Sequence, residues 1–344
     1  MENFENFLNY KAGKFRNYTI WQQPSLIKSL GKVWEFIFAN NNRTPDELLP
    51  VQKVDISKFN NSGNNQLNVT WLGHSSTMIN IDGYKILTDP VYEKRISLFG
   101  PTRYNSEVPF DFELLPEIDV VIISHNHYDH LNKYSIELIK DKVKLFIVPL
   151  KVGKLLFDWG VEKDKIVELD WWDEYAVNDS LKITATPSQH FSGRGLFDRD
   201  ETLWASFVIQ AKHHNLFFSG DGGYSTTFKE IGNKYGPFDI TLMECGAYNE
   251  AWHHIHMYPE ETVQAHIDLK GKILQPIHWG TFNLALHAWY EPMVRVIKEA
   301  NIEGVNVALP IIGETTEYGK YTPTEKWWEE YITEINDFDL ADNN

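Results

Sequence analysis

The sequence predicts an α/β fold, on three observations. Apolar runs of strand length recur at 120–123, 181–186, 215–218 and 273–277. Helical signals fall between them. Residues 134–140 follow the first run, and 259–267 open with Pro259, Glu260 and Glu261, as a helix first turn does. Each of the four runs leads into a His or an Asp, and open sheets place their ligands beyond the carboxyl ends of their strands. Pattern alone specifies α/β and no finer architecture.

Taken in order, residues up to about 51 read as a lead-in, with helix-like apolar spacing at 25–30 and 33–37. An Asn-rich stretch, 60–66, reads as a loop. The sheet begins at 67–71. Strands at 78–81 and 85–87 flank Asp82-Gly83, a hairpin signal. A strand at 145–148 ends at Pro149. The segment beyond Pro323, with Trp327, Trp328 and Tyr331, reads as a helix, and 339–344 as a frayed end. No internal repeat or heptad pattern is present.

The run 120–123 leads into Ser124-His125-Asn126-His127-Tyr128-Asp129-His130. Three imidazoles and a carboxylate in six residues would desolvate or repel one another as packing. A bound cation removes both problems, since it takes neutral nitrogen and ionised oxygen ligands. In extended backbone His125 and His127 project the same way. The other runs lead to His190, Asp221 and His278. Seven side chains make two sets of four if one carboxylate serves both, and Asp221 is the natural bridge, because imidazole offers one lone pair and carboxylate two oxygens.

The His-x-His-x-Asp-His pattern with downstream His190, Asp221 and His278 resembles the metallo-β-lactamase superfamily. Trp71-Leu72-Gly73-His74, Leu87-Thr88-Asp89-Pro90, Leu169-Asp170-Trp171-Trp172 and His278-Trp279-Gly280-Thr281-Phe282 resemble one branch, the N-acylphosphatidylethanolamine-hydrolysing phospholipase D family. The resemblance runs from about 69 to 314. It implies an αββα sandwich, two helix layers enclosing two sheets. It also implies two zinc ions per chain. One would take His125, His127 and His190, the other Asp129, His130 and His278, with Asp221 shared. Asp89 would fix a ligand histidine by hydrogen bonding. Asp129 and Asp221 then count as catalytic, and His256, which matches a family His, is the candidate for protonating the leaving group. A water-derived hydroxide is the expected nucleophile. His74 reads as a hydrogen-bonded core residue first and a metal-site residue second. Arg103 and Arg194 are candidates for phosphate, against a default of surface ion pairs. His213, His214, His253 and His254 read as solvent-facing.

Two departures bear on substrate. The family's Asp-Thr-Gly becomes Asp221-Gly222-Gly223, and the segment after Tyr248 is shorter and reads through Trp252 to His256. The implied activity is hydrolysis of a phosphodiester, with a lactonase or small-ester hydrolase on the same centre as the alternative.

Domain boundaries are expected at 1–60 for an extension packed on the core, 61–322 for the catalytic unit and 323–344 for a tail. One cysteine excludes an internal disulfide and any Cys-rich zinc motif. The net charge of −16 disfavours nucleic acid. The expected partner is a small-molecule or phospholipid substrate. No apolar run reaches the roughly 20 residues that span a bilayer. The N-terminal residues lack a secretory pattern. A cytoplasmic protein that reaches any lipid from the membrane surface is the corresponding expectation. The 12 Trp read mainly as core.

Overall fold

The computed structural model describes residues 9–19, 42–60, 63, 65–97, 100–105 and 108–332. The helix-like stretches at 25–30 and 33–37 and the end at 339–344 lie outside these.

A short hairpin, β1 (Tyr10–Lys11) and β2 (Lys14–Phe15), and helix α1 (Ile56–Asn60) precede the main sheets. The first sheet then forms from β3 (Leu67–Trp71), β4 (Thr77–Ile81), β5 (Tyr84–Thr88), β6 (Ile118–Ile122), β7 (Val143–Pro149) and β8 (Ile166–Leu169). Helices α2 (Lys133–Ile139) and α3 (Gly153–Asp158) connect its parallel strands. The second sheet contains β9 (Glu174–Asn178), β10 (Leu181–Thr186), β11 (Ser206–Ala211), β12 (Asn215–Phe218), β13 (Phe238–Glu244) and β14 (Gly271–Ile277). Its helices are α4 (Thr227–Tyr235), α5 (Pro259–Asp268) and α6 (Glu291–Glu303). The last strand, β15 (Thr315–Glu317), returns to the first sheet beside β3.

Strand orders are β15-β3-β4-β5-β6-β7-β8 and β14-β13-β12-β11-β10-β9. Each sheet runs an antiparallel meander into parallel strands. Alternation along β6 shows how the layers assemble. Val120 and Ile122 face a core shared with second-sheet residues such as Phe207 and Ile183. Val121 and Ile123 face the other way, with Ile136 and Ile139 of α2 and Leu156 of α3. This two-sheet, helix-flanked architecture is the expected sandwich.

The Asp82-Gly83 hairpin forms as read. Both residues have positive φ, 51° and 92°, as a two-residue turn matched to strand twist requires. Helix α5 starts at Pro259, and Glu261 reaches back to the Tyr258 N–H at 2.9 Å. The segment beyond Pro323 forms a 3₁₀ turn, Trp327–Tyr331, rather than a longer helix. There Trp327 stacks on Trp279, and Trp279 on Trp71, with centroids 5.4 Å apart in both pairs. Residues 9–19 also lie on the core: Asn9 Nδ2 donates to Asp170 at 2.8 Å, and Phe15 is buried.

Topology decides where the site sits. Strands β3, β5 and β6 run the same way, as do β10, β12, β13 and β14. The carboxyl ends of each set therefore share an edge, and the segments that follow them meet there.

Candidate metal centre

Seven side chains converge at that edge. His125, His127, Asp129 and His130 come from the loop after β6, and His190 from the segment after β10. Asp221 follows β12, and His278 follows β14. All seven were named from the sequence.

The rings of His125, His130 and His190 are oriented by outer hydrogen bonds. Asp89, one residue past β5, accepts from the Ser124 N–H at 2.7 Å, the Ser124 hydroxyl at 2.5 Å and His130 Nδ1 at 2.7 Å. With Nδ1 committed to Asp89, His130 has only Nε2 to offer inward. His125 Nδ1 lies 2.9 Å from Ser124 Oγ, whose own proton goes to Asp89. His190 Nδ1 donates to the Ile255 carbonyl at 2.9 Å. His125 Nε2, His127 Nδ1 and His190 Nε2 then face one another: His125 to His127 is 2.8 Å, and His190 to His127 is 3.3 Å. Facing lone pairs at such distances repel unless something positive lies between them.

Asp221 Oδ2 stands 3.9 Å from His125 Nε2 and 3.8 Å from His190 Nε2. It is 3.0 Å from the Nε2 atoms of both His130 and His278. Asp129 Oδ2 is 3.5 Å from His130 and 3.7 Å from His278. A tetrahedral cation with bonds of about 2.0–2.1 Å separates its ligand atoms by about 3.3–3.4 Å. The two clusters bracket that spacing. His130 Nε2, His278 Nε2 and Asp221 Oδ1 are also buried without a hydrogen-bond partner among the described residues. Such orphaned groups are costly unless a ligand satisfies them. The donor set therefore fits two cations sharing Asp221.

Electrostatics divide the ligands. Burial pushes His125 and His190 well below the ordinary histidine range and takes His127 down to about 4, so all three stay neutral. Burial opposes charge on His130 and His278 too. There the carboxylates of Asp221 and Asp129 outweigh it, raising His278 to about 10 and His130 well above its ordinary value. A cation must displace those two protons. At pH 7, loading the metal-free protein is expected to release about two protons per chain, and affinity is expected to rise with pH. Calorimetry in buffers of different ionisation enthalpy measures the release; a buffer-independent heat would contradict it.

His74 belongs to the centre, not to the bland core where the sequence favoured placing it. Its Nε2 donates to Asp129 Oδ2 at 2.9 Å, and its ring lies 4.0 Å from that of His278. Burial takes it down to about 3, so it is a neutral donor that aims Asp129. Its carbonyl accepts from the His278 N–H at 3.0 Å. The two arginines are not surface ion pairs, because both turn inward to main-chain carbonyls. Arg103 is buried and ties down a loop through the Val91 and Glu93 carbonyls. Arg194 clamps the ligand loop, donating to the Asn126 and Leu131 carbonyls at 2.8 and 2.7 Å. Among the other histidines, His214 pairs with Asp82 at 2.8 Å, and His253 stacks on Tyr258.

The Leu-Asp-Trp-Trp stretch acts on the site from a distance. Trp171 Nε1 donates to the Trp204 carbonyl at 2.6 Å. Trp204 Nε1 donates to the Ser188 carbonyl at 2.9 Å, two residues before His190. The missing threonine after Asp221 also has a local reason. A Cβ at Gly222 would overlap Ser188 Oγ, and that hydroxyl itself donates to the Asp221 carbonyl.

Glu244, at the end of β13, was missed. It is fully buried, and its carboxylate meets His256 Nδ1 at 3.1 Å. The signal was partial: β13 is one more strand that ends in a potential ligand, but Asp239 and Thr241 interrupt its apolar residues. His256 lies with His190 and Asp221 at the wall of a cavity of about 330 Å³, which Phe191, Trp252, Ile255 and Leu284 line with apolar surface. A larger cavity of about 900 Å³ beside Lys151, Phe157 and Arg194 contains none of the seven ligands.

Asp89→Asn should leave the fold intact but weaken metal affinity or activity by about 10–100-fold, the range for outer partners of ligand histidines. Equilibrium metal competition measures it, and wild-type affinity would remove Asp89 from the account.

Residues 84–279 match the family model described as Beta-lactamase superfamily domain. An uncharacterized protein of Mycobacterium tuberculosis is 40% identical over 333 residues, covering 93% of this chain and 87% of that one. The N-acyl-phosphatidylethanolamine-hydrolyzing phospholipase D 1 of Caenorhabditis elegans is 33% identical over 268 residues, covering 73% of this chain and 74% of that one. A metallo hydrolase structure from the archaeon Ignicoccus hospitalis superposes with a TM-score of 0.56 at 21% identity, covering 75% of this chain and all of that one. With the matched segment containing the ligand loop, His190, Asp221 and His278, the chain belongs to the metallo-β-lactamase superfamily and is a metal-dependent hydrolase of that family.

Proposed function

We propose that the protein is a di-zinc phosphodiesterase acting on N-acylphosphatidylethanolamine-like phospholipids. The observation that supports this most is the two-cluster centre bridged by Asp221, on a chain 33% identical to a phospholipase D with that named activity. Nitrogen and carboxylate oxygen ligands, with no cysteine among them, suit zinc. When bound, the two cations supply a water-derived nucleophile near neutral pH and offset the charge that develops on phosphoryl oxygens.

The chain's own residues do the rest. Asp221 and Asp129 set the position of both clusters, and His74 and Asp89 hold their orientation. His256 stands at the cavity wall as the proton donor for the departing alcohol. A cavity of about 330 Å³ is at the small end for ligand sites. It accommodates a phosphate and headgroup, while acyl chains extend outward past the apolar rim of Phe191, Trp252 and Leu284. No helix among the described residues is long and apolar enough to cross a membrane, so in this reading lipid is met at a surface.

The lactonase reading has one observation in its favour, the modest cavity. Hydrolysis of an N-acylphosphatidylethanolamine in ¹⁸O-enriched water separates the two. Attack at phosphorus should yield phosphatidate carrying the label and an unlabelled N-acylethanolamine. Label in a carboxylate product, or turnover of lactones alone, would contradict the phosphodiesterase reading.

A further inference from the structure

We propose that Glu244 is a positioning residue that holds His256 as its Nδ1–H tautomer and turns Nε2 toward the leaving-group oxygen. This rests on the phosphodiesterase reading above for its substrate, but on geometry for its placement.

Glu244 is fully buried, and no Lys or Arg pairs with it among the described residues. An ionised carboxylate in such a place is costly without strong hydrogen bonds. It has two from one short segment. The Met257 N–H donates to Oε1 at 2.7 Å, and His256 Nδ1 lies 3.1 Å from Oε2. The segment is also pinned from below, where the Thr262 hydroxyl donates to the Glu244 carbonyl at 2.9 Å. A carboxylate only accepts, so the facing nitrogen must carry the proton. His256 is then left with Nε2 for the cavity, where its ring lies 5.1 Å from that of His190 and 5.4 Å from that of His278.

The arrangement is a carboxylate–histidine pair beside the metal cluster, with His256 within reach of His190, Asp221 and His278. It suits the second half of a phosphodiester displacement. As the new P–O bond forms and the alkoxide P–O bond breaks, the electron pair of the broken bond goes to the leaving oxygen. His256, carrying a proton on both ring nitrogens at that moment, gives that oxygen its Nε2 proton, and the neutral imidazole that remains is the Nδ1–H tautomer held by Glu244. Bulk water restores the lost proton. A poor leaving group such as an alcohol needs this proton, whereas p-nitrophenolate does not.

The test uses the full-length, zinc-loaded protein and Glu244→Gln, which keeps volume and one acceptor oxygen. Two esters of one phosphatidyl group, alkyl and p-nitrophenyl, are compared. On the alkyl ester, kcat should fall about 100-fold or more, and on the nitrophenyl ester by less than about 5-fold. Metal content should remain unchanged. Long-range ¹H–¹⁵N spectra should show His256 protonated on Nδ1 in the wild type and mixed in the variant. Equal losses on both esters, or an unaltered His256 tautomer in the variant, would overturn the proposal. If the wild type cleaves neither diester, the phosphodiesterase reading fails, and the tautomer spectra still decide the role of Glu244.

Discussion

Asp221→Ala is expected to deplete both halves of the metal centre and abolish turnover. One oxygen of this side chain is within 4 Å of His125, His190, His130 and His278, so it belongs to both clusters at once. Its loss leaves each cluster with three ligands and removes the charge that offsets two cations. Activity should fall by more than about 100-fold, the upper end for losing merely an outer-shell partner. His190→Ala is the control. It removes a ligand from one cluster, so elemental analysis should find about one metal per chain rather than none. If both variants keep full metal content and activity, the ligand assignment is wrong.

Gly246→Ala should have the second largest effect, through backbone packing. A Cβ at Gly246 would overlap the His278 carbonyl oxygen. Neither partner yields easily. Gly246 follows the end of β13, while His278 holds a φ of 66° at the end of β14 and donates its N–H to His74. Overpacking a rigid site costs about 1–3 kcal/mol and occasionally more, and the upper end applies where backbone meets backbone. The expected result is a clear drop in melting temperature, with metal lost first from the cluster containing His278. Wild-type stability and metal content would show that the β13 and β14 ends are looser than described.

The seven convergent side chains were legible because each follows a short apolar run or sits in one dense segment, a pattern that survives without knowledge of the fold. Glu244 ends a strand as well, but Asp239 and Thr241 break the apolar run before it, and its partner His256 is 12 residues away. His74 was underrated for a similar reason. Its role depends on Asp129, 55 residues distant, and on a backbone bond to His278. Arg103 and Arg194 misled because charge suggests the surface. Their guanidinium groups donate to main-chain carbonyls, contacts that no sequence pattern encodes. The hairpin at Asp82-Gly83 and the start of α5 were legible because turn and cap chemistry is local. How the two sheets pair was not, since strands such as β11 and β15 join by register alone; the family resemblance supplied that step.

Elemental analysis of the wild-type protein, purified without added metal, tests the central claim most directly. With Asp221 shared between two clusters of convergent side chains, the expected result is two metal ions per chain, with zinc the expected element. Less than one ion per chain, with no gain in activity on adding zinc, would contradict it.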